Sequence, residues 1–504
     1  MSINMHRRLI QSRYNILSYI FNLISLIFNL FTRLPQCPTC RPANGSKVVR
    51  LSASVPSFMP QCLSALVPLV SLILLFSSLI ISCSNSSKPD ESITVSGTVT
   101  LEGRTDYSGV KVKLFKPVDI DTTLTNLNAR YPGIGIELDQ QTEFHWREQQ
   151  PKYETVSMAN GSWNIQNVTS GIYNIVVEAD SFGWLVVLNS TGIKYDFALQ
   201  KARRLSGTYT QDMNIPPGSF VEITGNTTFE TGTTFTIGSG SVVEFDGDYI
   251  LIFKGTVNFD AAADNRIIVQ SKQNNNRANI RLQNSSDINL RNTNFYDIGN
   301  GLYFTNSDSI SLANNRFSQS IYAFELFNCK DVWVQNNFIS DLDNGMLINT
   351  CSGTIKKNVI VKTSNYGIQS FSDQLLSIQF NVIKNCNVAG LIINPGFHGL
   401  ISDVAVSQND FISNYIQIFV GISAFCITNN NNFLNEQQFI VIAENSVLFD
   451  SLNFMQNYWS YFQPDEIESK IDDFKDHPVT PYIGPIIDYS EYSYQYINWI
   501  SSMD

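Results

Sequence analysis

The stretch ISLANNRFSQSIYAFELFNCKDVWVQNNFI, residues 310–339, holds one structural unit and the opening of the next. Asn315-Arg316-Phe317 in its first half returns as Asn337-Phe338-Ile339. The same place is filled by Thr293-Asn294-Phe295 before it, and by Asn358-Val359-Ile360, Asn381-Val382-Ile383, Asn409-Asp410-Phe411, Asn431-Asn432-Phe433 and Asn453-Phe454-Met455 after it. Successive anchors lie 22, 22, 21, 23, 28, 22 and 22 residues apart. Such a period is too long for a heptad and shorter than the helical repeats, and Val, Ile, Phe and Thr at alternate positions call for strands. The geometry that fits is a solenoid of three short strands per coil.

Within the unit, Ile310 and Leu312 point inward, a turn at Asn follows, Phe317 begins a second strand, and Ile321 to Leu326 form the third. Asn300-Gly301-Leu302, Asn344-Gly345-Met346, Tyr366-Gly367-Ile368 and Ala389-Gly390-Leu391 recur before that third strand, where Gly is expected to make a tight corner. Stacked coils place each Asn about 4.8 Å above the last, so the side-chain amides can hydrogen-bond up the column.

These features resemble the right-handed parallel β-helix, the fold of pectate lyases, polygalacturonases and many surface proteins. The resemblance covers residues 205–460, with Val221 to Phe259 as opening coils. In 461–504, a short amphipathic helix from Glu466 to Phe474, carrying Asp472 and Asp473 on a solvated face, would close the last coil.

Ahead of the repeat, Ile93 to Leu101 and Val110 to Phe115 alternate apolar and polar residues, as half-buried strands do. After an irregular insert over 118–150 come Thr155 to Ile165, with an Asn160-Gly161 hairpin signal, and Gly171 to Ala179. Together VSGTV, GVKVKLF, NGSWNI and GIYNIVVEAD resemble the carboxypeptidase regulatory-like domain. That resemblance implies a seven-stranded β-sandwich over 93–200, serving as a spacer or adhesion module without catalytic residues of its own. Trp163, Tyr173 and Trp184 read as its core. The expected fold is therefore all-β, an N-terminal β-sandwich followed by a right-handed parallel β-helix with a short C-terminal capping helix.

The chain has 504 residues, 43% apolar and 15% charged, enough to bury more than one core. Residues 1–82 carry seven basic side chains and no acid, which leaves 26 basic against 44 acidic residues in the remainder. A surface so acidic repels phosphate backbones, so nucleic acid is not an expected partner. Leu63 to Ile81 is uncharged and apolar and ends at Ser82-Cys83. This resembles a bacterial lipoprotein signal over 59–82. The resemblance implies acylation of Cys83, a lipid bilayer as partner, a tether over 83–92 and export to the cell envelope, at the outer membrane or cell surface. A plain transmembrane helix is the competing reading, and both would export the chain beyond Cys83. Met59 is the expected start, with 1–58 outside the mature protein. Cys37-Pro38-Thr39-Cys40 is half a zinc site with no second pair.

The hydrolases of the resembling family need two or three convergent carboxylates, and its lyases need Ca²⁺ held by clustered Asp with a basic residue. By resemblance, those sites lie on the outer side of the strand after the Gly corner. Here that column reads Tyr303, Glu325, Leu347, Gln369 and Ile392, with one carboxylate. The turn after the anchor supplies Asp297, Gln319, Asp341, Lys362 and Asn385. Asp287, Asp308 and Asp331 form a partial acidic column that Ca²⁺ would fit, though charged turn residues facing water explain it equally. His398, in the excursion of the 28-residue unit, with Asp403 is the best acid–base pair, and a lone loop His is ordinarily incidental. A binding role has one further feature. Six places before the anchors runs Asn289, Ser311, Trp333, Thr354, Ser377 and Ala405, so Trp333 would stand exposed among small neighbours as a platform for a sugar face. Cys329 and Cys351, one rung apart, are either bridged or reduced. These readings favour a protein that binds a neutral polysaccharide or other surface ligand without turnover, through Trp333 and Tyr303. A polysaccharide-degrading enzyme using His398, Asp403 or Glu325, and a structural or adhesive surface protein, are the alternatives.

Overall fold

The computed structural model describes residues 92–272, 278–395, 402–422, 424–434, 439–444, 451–460, 463–473, 475–476, 485–493 and 495–502. The chain is mostly strand, and its larger part is a right-handed parallel β-solenoid of about 11 turns at about 22 residues per coil. Each coil contributes one strand to each of three parallel sheets. Sheet I carries the anchor residues, sheet II the strands after the Gly positions, and sheet III the strands before the Asn turns. In the quoted unit these are Arg316–Ser318, Tyr322–Phe327 and Asp308–Ala313.

Phe295, Phe317, Ile339, Ile360, Ile383 and Phe411 stack in register along sheet I and point inward. Phe304, Leu326 and Ile348 do the same from sheet II, and Leu312, Val334 and Ile355 from sheet III. The core is thus one continuous column, which no single coil could bury alone.

The asparagines form the predicted ladder. The Asn337 side-chain amide donates to Asn358 Oδ1 at 2.9 Å, and the relay continues through Asn381, Asn409, Asn431 and Asn457. The last rung differs from the sequence reading: Asn457, not Asn453, accepts the Asn431 N–H. Asn453 ends a sheet III strand, Ser451–Asn453, and its Oδ1 accepts the Met455 N–H. The final coil takes 26 residues between ladder positions, so the 22-residue count lands four places early.

Three further columns turn the corners in the left-handed region. Asp297, Gln319, Asp341, Lys362 and Asn385 lie between sheets I and II with φ between 50° and 60°. Asn306 and Asn328 lie between II and III, and Asn314 and Asn336 between III and I. Asn tolerates this conformation better than other non-glycine residues, which explains the Asn pairs in the repeat. The repeated glycines do a different job. A Cβ on Gly345 would sit 2.2 Å from the Gly367 carbonyl oxygen, and one on Gly367 2.5 Å from that of Gly390. They permit close stacking of coils, and of the four only Gly301, at φ 84°, also takes the left-handed conformation of a corner.

Two small sheets precede the solenoid and share one core. Ser92–Leu101, Ser162–Thr169 and Lys194–Leu199 form one, and Lys111–Phe115, Tyr153–Val156, Tyr173–Ala179 and Gly183–Ser190 the other. Trp163, Tyr173 and Trp184 are buried. Gly161 makes its turn at φ 83°, but the strands on either side belong to opposite sheets. The buried Ser157, whose Oγ accepts the Val110 N–H at 3.0 Å, interrupts the strand and sends the chain across.

At the other end the helix is α3, counting α1 over Thr122–Arg130 and α2 over Gln140–Glu143. It spans only Pro464–Glu468 and drives Ile467 into the solenoid core. Ile471 leaves the helical pattern to pair with Val441 in sheet II, so Asp472 and Asp473 are not on a helix. Asp473 is buried and accepts the backbone N–H groups of Lys475 and Ile487. Among the described residues no helix is long and apolar enough to cross a membrane.

Candidate functional site

The outward face of each sheet has a different fate. On sheet I the outward column runs Asn294, Arg316, Phe338, Val359, Val382, Asp410 and Asn432, and every member is buried. The insert over 118–150 covers it as a strap. Leu124, Leu127 and Tyr131 of α1 and its exit pack with Ile134 on Phe338, Val359 and Val382, joined by Trp499 from the C-terminal segment. Asp410 pins the layers: Tyr131 Oη and Tyr496 Oη donate to its Oδ2, and Trp499 Nε1 and Asn432 Nδ2 to its Oδ1. A signal for this was present, since Phe338, Val359 and Val382 alternate with inward residues and are themselves apolar.

Sheet II keeps part of its outer face open, with Gln369 and Ile392 buried within it. Arg281, Tyr303, Glu325, Leu347, Gln369, Ile392 and Phe419 stand in one register column. Thr305, Phe327, Asn349, Phe371 and Asn394 form the column beside it. Tyr303 packs on Phe327 with ring centroids 5.3 Å apart, and the Arg281 guanidinium lies 6.0 Å over Tyr303. The face is thus a shallow band with half-exposed rings and one carboxylate. Burial among these rings pushes the Glu325 carboxyl above its ordinary value. Gln369 Nε2 donates to Asn344 Oδ1 at 3.4 Å. Phe327 and Phe371 were not singled out in the sequence, although they sit two places beyond Glu325 and Gln369, the spacing that keeps a strand residue on one face.

On sheet III Trp333 is 49% exposed, flanked by Ser311 and Thr354 in register, with Val332 and Val334 buried beside it. The Lys356 ammonium covers one face of the indole at 5.1 Å. This ring stands alone, with a cation over it, while sheet II offers several.

The other candidates separate. Asp308 pairs in register with Ser286 and Lys330, whereas Asp287 and Asp331 occupy the neighbouring left-handed position with Ser309, so the three do not form one column. Among the described residues no three His, Cys, Asp or Glu side chains come together as a metal site. Asp403 is exposed at the start of a sheet III strand, and His398 and Cys83 lie outside the described residues. Lys362 pairs with Asp121 of the strap, which holds that carboxyl down to about 2. Cys329 and Cys351 are reduced: the Cys329 N–H donates to Cys351 Sγ at 3.3 Å, and each thiol donates to a backbone carbonyl in its own coil. The same column continues to Asp373, a fully buried carboxyl that burial pushes up to about 7.

The model of the right handed beta helix region matches residues 278–437. Comparison with curated proteins gave no match. Among solved structures, the chain is similar to the Family 28 exopolygalacturonase of Yersinia enterocolitica, at 9% identity over 74% of this chain and 86% of that one, TM-score 0.29. It is similar to the catalytic domain of GH87 alpha-1,3-glucanase in complex with nigerose, at 10% identity over 75% and 87%, TM-score 0.27. It is also similar to a double mutant of the periplasmic alginate epimerase, at 12% identity over 55% and 76%, TM-score 0.27. None of these likenesses bears on the chemistry of this chain.

Proposed function

We propose that this is an exported, lipid-anchored protein whose solenoid binds a neutral polysaccharide along the outer face of sheet II without turning it over. One observation carries the reading. Phe327 and Phe371 stand on the same outward column two rungs apart, about 9.6 Å at the rung spacing, a distance close to two sugar rings in a chain. The apolar faces of pyranose rings stack on such rings, and Asn349, on the rung between them, and Asn394, on the rung beyond Phe371, supply hydrogen-bonding groups. The band runs along the solenoid axis, so it accepts a polymer lengthwise.

The sandwich, resembling a carboxypeptidase regulatory-like domain, serves as the spacer, and acylated Cys83 as the anchor. Mass spectrometry of the native protein tests the anchor: a diacylglyceryl mass on Cys83 supports it, and an unmodified Cys83 removes it.

A degrading enzyme is the second reading, because the half-buried Glu325 beside Tyr303 has the raised carboxyl of a general acid. It lacks a partner in its column, where Leu347 and Gln369 come next. Incubation with the bound glycan decides between them. Binding without new reducing or unsaturated ends supports the first reading; release of ends that Glu325→Gln abolishes supports the second.

A further inference from the structure

A cavity of about 260 Å³ lies where the strap, the sandwich and sheet I meet. Its walls are aromatic: Phe144 and Trp146 from the strap, Trp184 from the sandwich, Phe220 and Tyr296 from the solenoid. One cation lines it. Arg266 is 5% exposed, and its Nε donates to Asn294 Oδ1 at 2.5 Å while Nη2 donates to the carbonyls of Asn314 at 2.6 Å and Thr293 at 3.3 Å.

No described carboxylate forms an ion pair with Arg266, and Nη1 makes no hydrogen bond among the described residues. The acids nearby are committed elsewhere. Glu143 holds Arg316 at 2.8 Å, Glu244 receives Arg147, Gln270 and Trp184 Nε1, and Asp139 caps α2. Asp139 acts on Arg266 only through space and is opposed by the like charge of Arg316; a buried guanidinium without a paired carboxylate is costly, which is why such groups are ordinarily paired. A second group is unpartnered: Trp146, itself buried, has no hydrogen bond at Nε1. His145 stacks on Tyr296 with ring centroids 3.5 Å apart, and burial beside the Arg316 cation keeps it neutral, so it adds no second charge.

We propose that this cavity is a binding site for a small carboxylate carried on a single ring. The carboxylate completes the charge of Arg266 through Nη1 and accepts from Trp146 Nε1, and the ring lies among Phe144, Trp184 and Tyr296. Arg suits this role because its planar fork matches a carboxylate. The site is separate from the outer face of sheet II and does not depend on what that face binds.

The test is calorimetric titration of the full chain in detergent micelles with benzoate, and with benzamide as the neutral probe of the same shape. Saturable binding of benzoate alone is expected, weakened about tenfold or more in Arg266→Gln, the scale of a lost charge-assisted hydrogen bond. Arg266 also braces three backbone and side-chain partners, so Trp146→Phe provides the second variant. It keeps the ring, removes the donor, and is expected to weaken benzoate several-fold. The proposal is overturned by no binding of benzoate, by equal binding of benzamide, or by an unchanged benzoate affinity in both variants.

Discussion

Asn358 Oδ1 accepts two hydrogen bonds from Asn337, one from its backbone N–H at 3.0 Å and one from its side-chain amide at 2.9 Å. Asn358 in turn donates to the Val334 carbonyl at 3.0 Å, and both residues are fully buried. Each side chain therefore satisfies backbone groups of its neighbours that water cannot reach. Asn358→Ala leaves two donors and an acceptor unpaired, at about 1–3 kcal/mol each before relaxation. We expect a loss of about 3 kcal/mol or more in urea unfolding, and an unchanged midpoint would contradict the ladder as a stabilising device.

Asp373 gives a pH signature. Its carboxyl is pushed up to about 7 by burial, against an ordinary value of 3.8, while Ser370 Oγ and the Cys351 N–H donate to it. The folded state thus holds a proton that the unfolded state has released between these values. Stability is expected to fall as pH rises from about 4 to about 7, by at most about 1.4 kcal/mol per pH unit, and to level off above. Asp373→Asn should flatten that slope relative to the parent. Identical slopes in the two proteins would contradict a titrating Asp373.

The four described thiols are shielded. Burial pushes Cys386 and Cys426 up to about 12, and Cys329 and Cys351 are buried in the adjoining corner column. The thiolate, the reacting form, is disfavoured at Cys351, Cys386 and Cys426, and burial closes off Cys329, so iodoacetamide should leave all four unlabelled at neutral pH and modify them in denaturant. Labelling of the folded protein at any of them would show the coils opening.

The strap is expected to contribute to stability. Tyr131 Oη donates to Asp410, and its ring stacks on Trp499 at 6.1 Å between centroids. Tyr131→Phe keeps the stack and removes one of four donors to a buried carboxylate, for an expected loss of about 1.5–3 kcal/mol. Lys362→Gln, which removes a partly exposed ion pair with Asp121 and leaves Asp121 to cap α1, should cost no more than about 1 kcal/mol. Equal effects of the two substitutions would contradict the contrast between a buried and a surface contact.

The solenoid was legible because its signal is periodic: the Asn and the large apolar residue repeat wherever a coil repeats. Trp333 could be placed outward from Val332 and Val334 alone, by the alternation of a strand. The reading failed where the period did, at the lengthened last coil that moves the ladder from Asn453 to Asn457. It also missed the strap, because nothing local in 118–150 says which face of a distant sheet Leu124 and Tyr131 will cover. The apolar Phe338, Val359 and Val382 were the available clue, read as strand residues but not as a covered surface. Arg266 shows the same limit. Its lack of an ion pair with any described carboxylate is a property of the assembled junction and has no trace in the neighbouring residues.

The most direct test of the glycan-binding account is electrophoresis of the full chain in detergent through native gels cast with a panel of neutral and acidic polysaccharides, with Phe327→Ala and Trp333→Ala run alongside. The account predicts retardation by a neutral glycan that Phe327→Ala abolishes. An undiminished retardation in Phe327→Ala that is lost in Trp333→Ala would move the site to sheet III, and the absence of retardation in every gel would contradict binding of those polysaccharides.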